Sequence, residues 1–424
     1  MVQPLAGIRV VEMTVAIQGP AAGLYLAEMG AQVTKVEPPL GDSNRYHKGT
    51  DCDLPDDALG SQFVAMNRGK RSLCIDVHHP LGQQALANLV AQADVFLSNY
   101  REDALQRMGM DYETLHARHP QLVYATVNGF GPKGPDAEKA MLDGVAQARG
   151  GILSMTRQPD DDPLLPGAPI ADTTGAMQLA LGAMTALFAR ERHGVGQRVQ
   201  TSALGAQLWL QMWELQHLAM TGANLAPGGR YHDNMRGPYG IYRTADGGHI
   251  MFAACMDNAA WDALWIFAGQ PEVALDPDWA MPGQRLGGRG PELDTTHNIR
   301  ARMCNAFASH TTDEWVEFLY SQPEIIWERV RSHPDVLADP QNLANGYVSP
   351  VELPDIGAHD VVGNLVQFSN TPCGPLQPPP LLGEHGPAAL REAGLSDAEA
   401  EELLGHTAQM REQILLELLG ESED

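Results

Sequence analysis

Short β-branched runs alternate with helical periodicity through the first third of the chain. Gly7–Met13 and Gln32–Glu37 read as strands, the second stopped by Pro38 and Pro39. Between them Pro20–Gly30 places Leu24, Leu26 and Met29 as a short helix closed by glycine. Ser72–Val77 repeats the strand pattern, and His79–Ala93 is helical through Leu81, Leu86, Leu89 and Val90. Asp94–Tyr100 is another strand, Arg101–Met108 another helix, and Leu122–Val127 closes the series. Repeated β-α-β units with short connections predict an α/β domain built on a mostly parallel, Rossmann-like sheet. Ligands of such sheets sit at the carboxyl ends of the strands.

The second half changes character. Ala171–His193 predicts a long helix with Met177, Leu181, Met184 and Phe188 on one face. Ala203–Met220 predicts another, in which Trp209, Trp213 and His217 share a face suited to core or subunit interface. Tyr239–Arg243 and His249–Phe252, joined through Asp246-Gly247-Gly248, read as a β-hairpin. Helices near 260–268, 296–308 and 313–320 follow. The expected division is a large domain over 1–200, a linker helix over 201–225, a smaller α+β domain over 226–335, and a return to the large domain over 336–424.

Composition narrows the function. Acidic side chains outnumber basic ones 53 to 28, for a formal net charge of −25. Such a chain is repelled by nucleic-acid phosphates and anionic lipid, so neither is expected as a partner. Hydrophobic residues supply 44% of the chain, enough for packed cores. Cys52, Cys74, Cys255, Cys304 and Cys373 lack C-x-x-C spacing, and no H-E-x-x-H occurs, so neither a disulfide framework nor a metal site is expected. The opening residues lack a basic region followed by an apolar stretch, and 177–188 is too short to span a bilayer. A cytoplasmic location is the expectation. The acidity is uneven: residues 384–424 carry eleven acidic side chains against Arg391 and Arg411, whereas residues 1–110 carry twelve against nine basic ones.

No G-x-G-x-x-G or Walker A sequence is present. The sharpest local feature is Pro166–Gly175, where a Gly/Pro loop delivers Asp172 to the start of an apolar helix. Such an aspartate serves as a helix cap. It also meets the requirements of a nucleophile, because a positioned carboxylate can attack an acyl carbon. The spacing alone leaves both roles open.

Nine blocks then occur in order: PLAGIRV (4–10), AQVTKVEPP (31–39), NRGKRS (67–72), ALQRMG (104–109), GFGPKG (129–134), DGVAQA (143–148), IAD (170–172), RERHGVGQ (190–197) and LLGEH (381–385). The series resembles the class III coenzyme A transferases, from residue 4 to about 405. The resemblance implies transfer of CoA from an acyl-CoA to a free carboxylic acid, with CoA as substrate and no prosthetic group. It places the catalytic aspartate at Asp172, working through an aspartyl mixed anhydride and an aspartyl-CoA thioester. It places Val15 and Ala16 along the pantetheine arm, and Lys70, Arg71, Asn99, Tyr100, Arg101 and Arg107 at CoA. Ile17, Gln18 and Asp143 fall near the substrate. It also implies an interlocked homodimer in which each subunit forms a ring.

Two departures bear on substrate. Formyl-CoA transferases have a glutamine where this chain has Ile17, and Gly228-Gly229-Arg230 stands in for a longer glycine run, which argues against oxalate and formyl-CoA. The resembling α-methylacyl-CoA racemases place a histidine where this chain has Leu142, and leucine cannot move a proton. Transfer is therefore the expected activity, with 2-methylacyl-CoA racemisation and non-catalytic CoA binding as the alternatives.

Overall fold

The computed structural model describes residues 2–49, 53–55, 57–285 and 296–419, so Cys52 and the last acidic residues lie outside the described part. The chain forms two compact units. One comprises Met1–Gly150, Ala168–Leu210 and Leu337–Asp424; the other comprises Gly151–Gly167 and Gln211–Val336. The smaller unit thus takes a short stretch ahead of the long helix, and the division after residue 200 falls instead at Leu210.

The larger unit is built on six strands: β1 Arg9–Met13, β2 Gln32–Glu37, β3 Arg71–Cys74, β4 Val95–Ser98, β5 Val123–Asn128 and β6 Arg198–Ser202. All neighbours are parallel, in the order β3-β2-β1-β4-β5-β6. The chain winds from β1 out to β3, then restarts at β4 on the other side of β1. That reversal opens a crevice beyond the carboxyl ends of β1 and β4. Successive residues serve opposite faces. Val11, Phe96 and Tyr124 join one core with Leu86, Leu390 and Leu403, while Val10, Leu97 and Ala125 join another. Burial on both faces explains the continuous apolar runs.

The helix Ile170–His193 covers the second face through Ala176, Leu179, Ala180 and Ala183. Its small-residue side is therefore the buried one. Met177, Leu181 and Phe188, from the stripe evident in the sequence, remain 55–63% exposed. An antiparallel ribbon, β10 Val348–Leu353 and β11 Gly357–Val362, also belongs to this unit.

The smaller unit holds an antiparallel sheet of β7 Gly240–Arg243, β8 His249–Cys255 and β9 Ile325–Arg329. The hairpin forms as expected. Helices Asn258–Phe267, Thr296–Phe307 and Thr312–Tyr320 pack on it through the fully buried Trp261, Trp265, Phe307 and Trp315. The helix expected over 203–220 is interrupted: Ala203–Leu210 and Met212–Thr221 are separate helices, and Gln211 leaves helical geometry at ψ 23°. Trp209 and Trp213 consequently do not share a helix. Among the described residues, no helix is long and apolar enough to cross a membrane, and no three His, Cys, Asp or Glu side chains are grouped as metal ligands.

Candidate active site

The crevice at the sheet reversal is closed by two asparagines. After β1 the chain turns through Val15 and Ala16, and Ala16 adopts a left-handed φ of 67° that a residue with a Cβ rarely tolerates. Asn99, just past β4, holds this turn as a strand neighbour would. Its Oδ1 accepts from the Val15 N–H at 3.0 Å, and its Nδ2 donates to the Val15 carbonyl at 2.8 Å. Asn44 Nδ2 donates to the Ala16 carbonyl at 2.8 Å. Gly19 permits the close approach, since a Cβ there would lie 2.6 Å from that of Thr14 and 3.0 Å from Asn99 Cγ.

A cavity of about 530 Å³ opens against this turn. Val15, Ala16, Ile17, Gln18, Asn99, Tyr100 and Arg101 line it, and so does Asp172. Residues from three separate stretches of sequence are thereby brought together. Lys133, Lys139, Arg198 and Gln200 also face it, although the sequence had not singled them out. The first two lie in the Gly/Pro loop after β5, and that position past a strand end was the available signal. A second cavity of about 260 Å³ lies over the ends of β1, β2 and β4, lined by Pro38, His78, Tyr100, Arg107 and Met108 among others. Tyr100 borders both cavities.

Asp172 sits in the first turn of the long helix, behind Pro169, which offers no side-chain cap. The cap comes from another helix, Asp143–Gly150. Asp143 Oδ1 accepts from the backbone N–H groups of Ala171 and Asp172 at 2.8 and 3.1 Å. Gln147 Nε2 donates to the other Asp143 oxygen. Asp143 therefore occupies the anion-favouring helix terminus that the sequence offered to Asp172. Asp172 is 9% exposed, and burial, with the negative Asp143 behind it, pushes its carboxyl up to about 7. A carboxylate of that basicity is a better nucleophile than a solvated one and is half ionised near neutrality. Gln18 is also buried; its Nε2 has no hydrogen-bond partner and would lie 2.1 Å from a Cβ at Gly175, one turn beyond Asp172.

Two basic residues read as candidates for CoA, Lys70 and Arg71, are ion-paired away from the two cavities, and a third, Arg107, is ion-paired at the mouth of one. Lys70 is 3% exposed, its ammonium held by Glu12 Oε2 at 2.9 Å, Asn67 Oδ1 and the Pro20 carbonyl. Lys35 shares Glu12 and donates to the Thr14 carbonyl at 2.7 Å, so the cluster underpins the turn at Val15 rather than lining the cavity. Burial draws the Lys70 ammonium down to about 8. Arg71 forms a two-pronged pair with Glu392 at 2.8 and 3.0 Å, on the outer strand. Arg107 is exposed and paired with Asp103 at 2.8 Å, at the mouth of the second cavity.

Known proteins resemble the chain along nearly its whole length. The model of CoA-transferase family III matches residues 5–386. A succinyl-CoA–D-citramalate CoA-transferase of Chloroflexus aurantiacus is 32% identical, over 90% of this chain and 92% of its own. A formyl-CoA:oxalate CoA-transferase of Streptomyces avermitilis is 33% identical, over 94% and 98%. Among solved structures, a CAIB/BAIF family protein from Brucella suis superposes with a TM-score of 0.80 at 29% identity, covering 93% of this chain and 100% of that one.

Proposed function

The chain belongs to CoA-transferase family III and is a CoA-transferase, and from that premise we propose that Asp172 is its nucleophile. The observation that carries the assignment is a buried carboxyl held near neutrality at the wall of the cavity. In this reading an Asp172 oxygen attacks the donor thioester carbon. The carbon–sulfur bond breaks, giving an aspartyl anhydride and CoA thiolate. The thiolate then attacks the Asp172 carbonyl, releases the donor's carboxylate and leaves an aspartyl-CoA thioester. An acceptor carboxylate attacks that thioester to form a new anhydride. The thiolate finally takes the new acyl group and frees Asp172. Burial serves each step, because water would hydrolyse either intermediate.

The two cavities divide the CoA molecule in this reading. The small one, walled by Pro38, Tyr100 and Met108 with Arg107 at its mouth, takes the adenosine end. The Val15–Ile17 turn guides the pantetheine arm past Tyr100 and Arg101 toward Asp172. Lys70 and Arg71 have no part in binding; they brace the sheet. The acceptor is read as a small carboxylic acid, since relatives are named for D-citramalate, oxalate and mesaconate. Ile17 and the missing glycine run argue against oxalate. The active form is read as a homodimer, with Met177, Leu181, Phe188 and Trp209 as exposed apolar surface for a second copy.

Asp172→Ala tests the assignment. The variant is expected to bind CoA and to transfer it to no acid; full turnover by the variant overturns the nucleophile. Two-base racemisation is disfavoured by Leu142, which lines the cavity where a proton carrier would be needed.

A further inference from the structure

The smaller unit contains a polar cavity of about 500 Å³ that the transfer chemistry does not use. Tyr231, Asp233, Arg236, Thr296, His297 and Arg300 line it. Its position begins with sequence: the helix Thr296–Phe307 has no acidic residue in its first turn, where acidic residues are favoured. In their place His297 and Arg300 stand at the cationic end of the helix. Among the described residues, no carboxylate pairs with either of them.

The Arg300 guanidinium is fixed without a carboxylate. Its Nε donates to the Gly237 carbonyl at 3.1 Å and its Nη2 to the Met235 carbonyl at 2.5 Å. Its plane lies 4.3 Å from the centre of the Tyr231 ring. Those partners hold the group in one place, and no described residue forms an ion pair with it. Arg236 and His297 are exposed and make no ion pair with any described residue. The acidic side chain among the described lining residues, Asp233, is engaged with its own loop, accepting from the Ala226 N–H at 2.9 Å. Thr296 Oγ1 accepts from the Gly237 N–H at 3.0 Å, which ties the strand approach to the helix start. The result is a preformed concave surface with two arginines and a histidine facing one volume.

We propose that this cavity binds a small multivalent oxyanion, a phosphate or a polycarboxylate, at a site separate from the acyl-CoA site. Its volume exceeds what inorganic phosphate fills, so a phosphate ester or a tricarboxylate fits with room for a carbon skeleton. Planar guanidinium groups suit both anion classes, through paired N–H donors.

Calorimetric titration of the full chain distinguishes the outcomes, with inorganic phosphate and citrate as probes and potassium chloride at matched ionic strength as control. Saturable binding of either probe is expected, and the tighter one identifies the anion class. An Arg236→Gln, His297→Gln double variant, altered only at exposed side chains, is expected to bind that probe at least tenfold more weakly. Its circular dichroism and melting temperature should match the parent. Arg300→Met is expected to lose binding altogether. No saturable binding of either probe overturns the proposal, as does equal affinity in the double variant. Displacement of the probe by saturating CoA would make the cavity part of the CoA site and overturn its separateness. The binding readout needs no turnover, so it stands apart from the assignment of Asp172.

Discussion

Asp143→Asn isolates one of the two causes that raise the Asp172 carboxyl. The substitution removes the negative charge behind Asp172 but keeps an oxygen that can accept from the Ala171 and Asp172 N–H groups. The helix cap is thus retained while the repulsion is lost. Burial is the larger cause and Asp143 the smaller, within a rise from 3.8 to about 7. The expected fall is therefore the minor share, about one pH unit. A carboxyl raised on folding contributes stability below its unfolded value and loses it as pH climbs through the folded one. For Asp172 that loss runs between pH 3.8 and about 7 and amounts to roughly 4 kcal/mol. Asp143→Asn should return about 1.4 kcal/mol of it at pH 8 and none at pH 3. The kinetic consequence is an acid limb of kcat/KM displaced downward by about one unit. At pH 6 the ionised fraction of Asp172 rises from roughly a tenth to about half, so the rate relative to the pH 8 plateau rises about fivefold. The assay is initial-rate CoA transfer between pH 5 and 9, followed by chromatography of the thioesters. An acid limb that stays in place, or moves upward, refutes the electrostatic coupling of the two aspartates.

Other substitutions probe the frame of the site. Lys70→Met leaves Glu12 short of a buried partner and should cost about 3–5 kcal/mol in denaturant unfolding, whereas loss of CoA affinity without loss of stability would restore Lys70 to the binding surface. Gly23→Ala puts a Cβ 1.8 Å from Glu12 Oε2 and should lower stability by about 1–3 kcal/mol; an unchanged melting temperature contradicts the packing described. Arg101→Ala removes a charged donor at the cavity wall and should raise KM for the acyl-CoA roughly tenfold with kcat little changed, so a fall in kcat alone would place it at the chemistry instead.

Five of the six parallel strands were legible because each lies in a short run with apolar residues buried on both faces. The sixth, Arg198–Ser202, was not: its sequence RVQTS carries one large apolar residue, and only pairing with β5 makes it a strand. β9, IIWER, was missed although its first three residues are apolar, and Ile326 is 62% exposed at the sheet surface. The break at Gln211 has no glycine or proline to announce it. At the site, Asp172 could be found from its loop and the family resemblance, yet its basicity could not. That depends on burial first and then on Asp143, which lies 29 residues away in sequence and reaches the helix terminus only through tertiary packing. Lys70 is a second case in which the surroundings were not legible. In NRGKRS it looks like an exposed basic loop, but Gly23 leaves the space in which Glu12 meets it, and no local pattern records that space.

The central claim is that the acyl and CoA groups pass through the Asp172 carboxyl. Incubating the protein with an acyl-CoA donor, quenching with hydroxylamine and mapping peptides by mass spectrometry tests it directly. The account predicts a hydroxamate on Asp172, formed only when donor is present and absent from Asp172→Ala. Sustained CoA transfer with Asp172 unmodified, or a hydroxamate on another carboxylate, would contradict it.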